Sequence, residues 1–336
     1  DADVPVALLL SGGLDSSLLA AYATLHTSVR TLTFSFSNSH VDERAHARMV
    51  SDYLHTEHEE MVLSAQDVLA ELDDCVRCAD DLFADWGTFT THLLYRRCQQ
   101  QGIKVVIVGE GADELFAGYG PAYSVASECA KFRPMDWRLF KLYRRYSGRR
   151  HGHCFSAFRA QMHEYLLRTE GDLFAAVRLF ESCCQLPNNY VMKVDKASMA
   201  ASVEARVPFL DTRISAIAYT LPASMLVNAS TNKQVLRDVA TRFRLLPEPI
   251  INRAKFGASI ASQWMDDEGA FRMRAQNVIL DRSGWVDRLG LRKAMNAYFY
   301  DGKHGYSFPH GISIFRNLAW RVMLLNLWSH HYGVTP

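Results

Sequence analysis

A chain of 336 residues that is 49% hydrophobic can bury a large core, which excludes a disordered or fibrous polypeptide. Charged residues make up 22% and sum to a formal +1, so the bulk balance gives no reason to expect nucleic acid as a partner. Two acids precede an apolar run that Ser11 and Gly12 cut short, a start that reads as neither a signal peptide nor a membrane span. Seven cysteines without framework spacing suggest reduced thiols, and the expectation is a cytoplasmic protein that does not engage a membrane.

Val6 to Leu10 is a short, wholly apolar run that predicts a strand buried on both faces. From Ser16 the Leu- and Ala-rich stretch predicts a helix, Thr31 to Phe36 a second strand, and the segment from Asp42 an amphipathic helix. A strand near Glu60 to Leu63, a helix from about Ser64 to Asp81, a helix from Thr88 to Gln101 and a strand from Lys104 to Val108 complete the alternation. Such alternation predicts an α/β fold, a parallel sheet with helices on both faces, whose ligands sit at the carboxyl ends of the strands. Beyond Tyr119 the pattern turns mainly helical with few strand signals. The expected division is an α/β core over residues 1–120 and a mainly helical part over 121–336.

Two glycine-rich segments follow apolar strands. In the first, Ser11, Gly12, Gly13, Leu14, Asp15, Ser16 and Ser17 form a strand-to-helix turn whose backbone N–H groups can approach an anion. No Gly-Lys-Ser/Thr follows, so this is not a Walker loop. Asp15 beside polyphosphate makes sense with a divalent cation between them, which makes it a candidate Mg²⁺ ligand. A plain turn with a helix cap would explain any three of these residues, but not the whole heptad. In the second segment, Gly109 to Tyr119, the acids Glu110, Asp113 and Glu114 would repel one another unless a cation neutralised them. A second metal contact from Asp113 is the economical explanation, whereas Glu114 alone reads as a helix-start acid.

The first segment resembles the signature of the PP-loop ATP pyrophosphatase superfamily, SGGxDS followed by Ser or Thr. Gly109 to Glu114, GEGADE, resembles the asparagine synthetase branch of that superfamily. So do Ala201 to Asp211, ASVEARVPFLD, the preceding NNYVMKVDKASM, the K-x-x-L-R element at Lys233, Leu236 and Arg237, and RAKFG from Arg253 to Gly257. The resemblance implies an enzyme that uses ATP and Mg²⁺ to adenylate a carboxylate, with aspartate the leading acceptor, before ammonia displaces AMP. It further implies that Ser11, Gly12, Gly13, Asp15 and Ser16 cradle pyrophosphate, that Asp15 and Asp113 hold Mg²⁺, and that Leu9, Phe36 and Gly109 border the adenosine. Glu110 and Lys255 are the implied catalytic residues. Related β-lactam synthetases carry a tyrosine at the Glu110 position, which argues against that branch.

Other signals carry less. Cys75 and Cys78 form one CxxC without the second pair a structural zinc site needs. Residues 131–150 hold eight basic residues and one acid among aromatics, which reads as a solvated helical face with rings turned inward rather than an RNA surface. The Trp320 to Trp328 stripe reads as core, and His330 and His331 have no assigned role. A chain that starts at Asp1 suggests missing upstream sequence, and the resemblance implies a glutaminase domain upstream or in trans, with a homo-oligomer also compatible. The rival readings are amidation or cyclisation of another carboxylate, or a degenerate scaffold domain.

Overall fold

The computed structural model describes residues 3–36, 42–126, 133–147, 154–228, 231–254, 263–266, 269–303 and 314–336. The first half alternates β1 (Val6–Leu9), α1 (Leu14–Thr24), β2 (Arg30–Phe36), α2 (Arg44–Leu54) and β3 (Glu57–Leu63), then α3 (Ala65–Cys78), α4 (Gly87–Gln100) and β4 (Val105–Ile107). All these elements fall where the sequence pattern predicts them, with boundaries shifted by a few residues. The start of α3 is fixed by a capping box: Asp67 N–H donates to Ser64 Oγ at 3.2 Å, and Ser64 N–H donates to Asp67 Oδ2 at 2.8 Å.

Beyond β4 come α5 (Ala112–Leu115), α6 (Gly120–Ala126), α7 (Met135–Ser147), α8 (Phe155–Arg168) and α9 (Leu173–Phe180). A π-helix over Glu181–Val191 joins α9 to α10 (Met192–Ala200) and contains Pro187, which has no N–H to give to a helical ladder. After β5 (Glu204–Arg206) the chain is helical again: α11 (Thr212–Thr220), α12 (Ala223–Leu226), α13 (Gln234–Arg242), α14 (Glu248–Ile251), α15 (Ala270–Leu280), α16 (Trp285–Arg288), α17 (Arg292–Phe299) and α18 (Ile314–Tyr332). None of the described helices is long and apolar enough to cross a membrane.

Among the described residues, five strands form one parallel sheet in the order β3-β2-β1-β4-β5. Strand β5 departs from the helical expectation for the second part of the chain. It comes from the centre of the VEAR segment and pairs Val105, Val106 and Ile107 with Glu204, Ala205 and Arg206. Both faces of the sheet are covered. Along β1, Ala7 and Leu9 pack with Leu94, Tyr95, Val106 and Ala197, whereas Leu8 belongs to the cluster of Leu18, Ala47 and Val50 on the opposite face. Trp320 of α18 is fully buried, stacked on Trp86 at 4.1 Å, so the tryptophan stripe serves the core as expected.

The strand order places a topological switch between β1 and β4. From β1 the chain moves outward to β2 and β3, then returns to the other side of β1 for β4 and β5. A crevice opens at the carboxyl ends of two such strands, and both glycine-rich segments lie there.

Candidate functional site

The loop after β1 is organised by its own serines. Ser11 N–H donates to Ser16 Oγ at 3.2 Å, Gly13 N–H to Ser11 Oγ at 3.2 Å, and the two hydroxyls stand 3.1 Å apart. Gly12 has φ +66°, and a Cβ there would stand 2.5 Å from the Cβ of His46 in α2. Only glycine lets the turn take this left-handed form and press against that helix. Gly13 is the N-cap of α1 and provides no side-chain cap, so the first-turn N–H groups of the helix are left for an anion to satisfy. From the far end of the chain, Arg253 donates to the Ser11 carbonyl at 3.2 Å and pairs with Glu43 at 3.2 Å, which ties this loop to the start of α2.

The loop after β4 runs alongside. A Cβ built on Gly109 would lie 3.5 Å from the Cβ of Asp15, so the two turns are neighbours. Across them, Asp15 and Asp113 converge on one cation: Lys233 Nζ donates to Asp15 Oδ2 and pairs with Asp113 Oδ1 at 2.6 Å. Both carboxylates keep about a fifth of their surface exposed, while the lysine side chain is buried. Burial alone would push the ammonium toward its neutral form, but Asp113 and Asp15 outweigh it and raise the pKa of Lys233 above its ordinary value.

Glu110 is half-buried on the same loop. Burial raises its pKa, a backbone hydrogen bond and Lys193 oppose the rise, and Asp113 and Asp15 add to it. Lys193, at the start of α10, is held by Asp85 at 2.9 Å and lies 5.5 Å from the Tyr190 ring centroid. Glu114, buried beneath the loop, accepts from Tyr119 Oη at 2.7 Å, and Tyr119 stacks on Tyr190 of the π-helix at 6.0 Å.

Among the described residues, no three His, Cys, Asp or Glu side chains form a metal-binding group. A pair of carboxylates nonetheless suits Mg²⁺, which takes one or two such ligands and completes its shell with water and phosphate oxygens. The open first turn of α1 beside them suits those phosphates, so the residues present fit a magnesium-nucleotide pair.

Of the residues singled out in the sequence, Ser11, Gly12, Gly13, Gly109 and Glu110 lie on the two adjoining loops, and Asp15, Ser16 and Asp113 lie in the first turns of α1 and α5, the helices those loops lead into. Leu9 is the last residue of β1. Phe36 ends β2 but is only 3% exposed, its ring 5.1 Å from that of Trp264, so little of it is open to a ligand. Lys255 lies outside the described residues. Lys233, Arg253 and Lys193 carry no role in the sequence reading, although all three sit in the family-like segments KxxLR, RAKFG and NNYVMKVDKASM. The Cys75 thiol is buried and its pKa pushed well up by that burial, as a core cysteine requires. The rings of α7 divide, against the expectation that they all turn inward: Tyr143 packs on Phe155 and Phe158, whereas Trp137 and Phe140 are exposed, with Arg133 and Lys141 over the Trp137 ring and Arg144 over that of Phe140.

A five-stranded parallel sheet, a capless helix start and paired acids at its switch point define an α/β domain of the PP-loop type. The family model described as asparagine synthase matches residues 1–330, and the chain belongs to that family. It is similar to asparagine synthetase (glutamine-hydrolyzing) 1 of Bacillus subtilis, 27% identical over 308 residues that cover 79% of this chain and 48% of the relative. A Mycobacterium tuberculosis protein provisionally given the same enzyme name is 29% identical over 300 residues, 76% of this chain and 45% of the relative. Asparagine synthetase (glutamine-hydrolyzing) 3 of Arabidopsis thaliana is 26% identical over 320 residues, 89% and 47% of the two chains. The chain thus spans about half the length of the curated relatives it matches.

Proposed function

We propose that this chain is the ATP-dependent synthetase part of an asparagine-synthetase-type enzyme. It adenylates a carboxylate, aspartate in the leading reading, and releases pyrophosphate; ammonia then displaces AMP to leave the amide. The observation that carries this reading is the convergence of Asp15 and Asp113, from two different strand ends, on a single cation at the switch point.

The chemistry explains why such a site is needed. A carboxylate is a poor electrophile because oxide is a poor leaving group, whereas an acyl phosphate ester loses a stabilised phosphate. Attack at the α phosphorus gathers negative charge on pyrophosphate. Bound Mg²⁺ would neutralise part of that charge, and Asp15 and Asp113 are the residues to hold it. The first-turn N–H groups of α1, with Ser11, Gly12, Gly13 and Ser16, would receive the phosphates, and Leu9, Gly109 and the end of β2 at Phe36, whose ring is turned into the core, would border the adenosine. Glu110, with its raised pKa, suits proton exchange with the incoming ammonia. Lys255 would add a second positive charge at the phosphates.

In this reading residues 1–120 carry the nucleotide and residues 121–336 complete the site, in a cytoplasmic enzyme. The relatives' glutamine-hydrolyzing names support a glutaminase domain or subunit as the ammonia source. The test is pyrophosphate release with ATP, Mg²⁺ and ammonia across a panel of carboxylates. Release with aspartate is expected. Release with a different acid alone would move the assignment to another acceptor, and none with any acid would leave a scaffold domain.

A further inference from the structure

We infer that Lys233 holds the metal position in the nucleotide-free protein, so that Mg²⁺ enters together with the nucleotide and not before it. The inference rests on the proposed metal roles of Asp15 and Asp113. Its ground is geometric. Nζ lies 2.6 Å from Asp113 Oδ1 and also bonds Asp15 Oδ2. A Mg²⁺ ion bound to both carboxylates would need oxygens at about 2.0–2.1 Å, which puts it where the ammonium now stands. One cation excludes the other.

The lysine is built into this position. Its backbone has φ +52°, a left-handed conformation that a non-glycine residue adopts only when its surroundings impose it. The surroundings are explicit: Arg237 Nε donates to the Asn232 carbonyl at 2.8 Å, and Asn232 Nδ2 donates to the Gly118 carbonyl at 2.6 Å. Gly118 completes the fit, since a Cβ there would lie 2.5 Å from Lys233 Cε and would collide with Asp113 Oδ1. With the backbone clamped and the side chain 5% exposed, Nζ can leave the carboxylates only by side-chain rotation within the crevice. Incoming phosphates at the start of α1 supply the negative charge that draws it away, and the departing ammonium uncovers both metal ligands. Nucleotide and metal then favour each other's binding, and the coupling is reciprocal.

The test uses the whole chain and Mn²⁺ as a spectroscopic substitute for Mg²⁺, with binding measured by electron paramagnetic resonance with and without a non-hydrolysable ATP analogue. Wild-type protein is expected to bind Mn²⁺ weakly alone and at least about tenfold more tightly with the analogue, about 1.4 kcal/mol of coupling. Lys233→Gln should bind Mn²⁺ at least about tenfold more tightly without nucleotide, and adding Asp113→Asn should abolish the gain. A melting scan in millimolar Mg²⁺ provides a second readout on the same variant and on Lys233→Met: divalent ion should raise the melting temperature of both variants but not of wild type. Equal metal affinity in wild type and Lys233→Gln, with the metal still captured alongside nucleotide, would overturn the inference and leave the site assignment standing. No metal binding to wild-type protein even with nucleotide would overturn both.

Discussion

The crevice between β1 and β4 and the helical layer of α7 to α9 both bury groups, but to opposite ends. At the crevice, Asp15, Asp113 and Lys233 crowd charge together, with Glu110 close enough to feel both aspartates. In the helical layer, Phe158 lies 5.4 Å from Phe180 and 5.7 Å from Tyr143, and Tyr146 lies 4.8 Å from Phe180, in tilted and edge-on contacts between ring centroids. Packed rings stabilise the folded chain through the area they remove from water. Crowded carboxylates contribute little of that kind, and their arrangement makes sense for a charge brought in from outside. Stability and chemistry should therefore separate under mutation.

The largest separation is expected at the crevice. Asp15→Asn, Asp113→Asn and Lys255→Ala should each slow pyrophosphate release at least about a hundredfold, as losing one preorganised electrostatic partner raises a barrier by about 3 kcal/mol. Their thermal melts should change little by comparison. Unchanged kinetics in any one of them would remove that residue from the mechanism. In the helical layer the balance reverses. Phe158→Ala should cost about 3 kcal/mol of stability, read by urea titration, while turnover per folded molecule holds. A Phe158→Ala enzyme as slow as the aspartate variants would erase the contrast.

Acid should reveal a smaller effect outside both regions. Burial lowers the pKa of His92, against the raising influence of Glu71 3.3 Å away, and burial also lowers that of His58. An unfolded histidine takes up its proton near the ordinary value of 6.5, before the folded one does. Stability should be fully present above that pH and fall as pH drops through it toward the lower folded values, by up to about 1.4 kcal/mol per pH unit for each group. His92→Gln should flatten part of that slope in melts taken from pH 7.5 to 5.5. The smallest effect belongs to the surface. Arg48, 62% exposed, pairs with Glu60 at 2.5 Å, and Arg48→Ala should shift stability by less than about 1 kcal/mol.

Much of this arrangement was legible in the sequence because its signals are local. The apolar run before Ser11 and the glycines after it dictate a strand and an open turn within a dozen residues. The same holds for Val105 to Glu114, and parallel topology then brings the two turns to one edge. What stayed hidden depends on long-range packing. Lys233 reaches Asp15 across 218 positions and Arg253 reaches Ser11 across 242. Nothing near either residue announces its target. Strand β5 was missed for a different reason: Glu-Ala-Arg has no strand-like pattern, and its conformation comes from pairing with β4.

That late strand governs how the chain can be divided. A fragment ending near residue 120 keeps β4 but loses the partner that covers its outer side, leaving the backbone of Val105, Val106 and Ile107 open. With β5 in place, the outermost strand on that side of the sheet is three residues long and charged, with Glu204 paired to Arg206, a poor template for further strand addition. The shortened piece exchanges that blunt margin for an apolar ribbon, and it should self-associate on refolding, as light scattering would report.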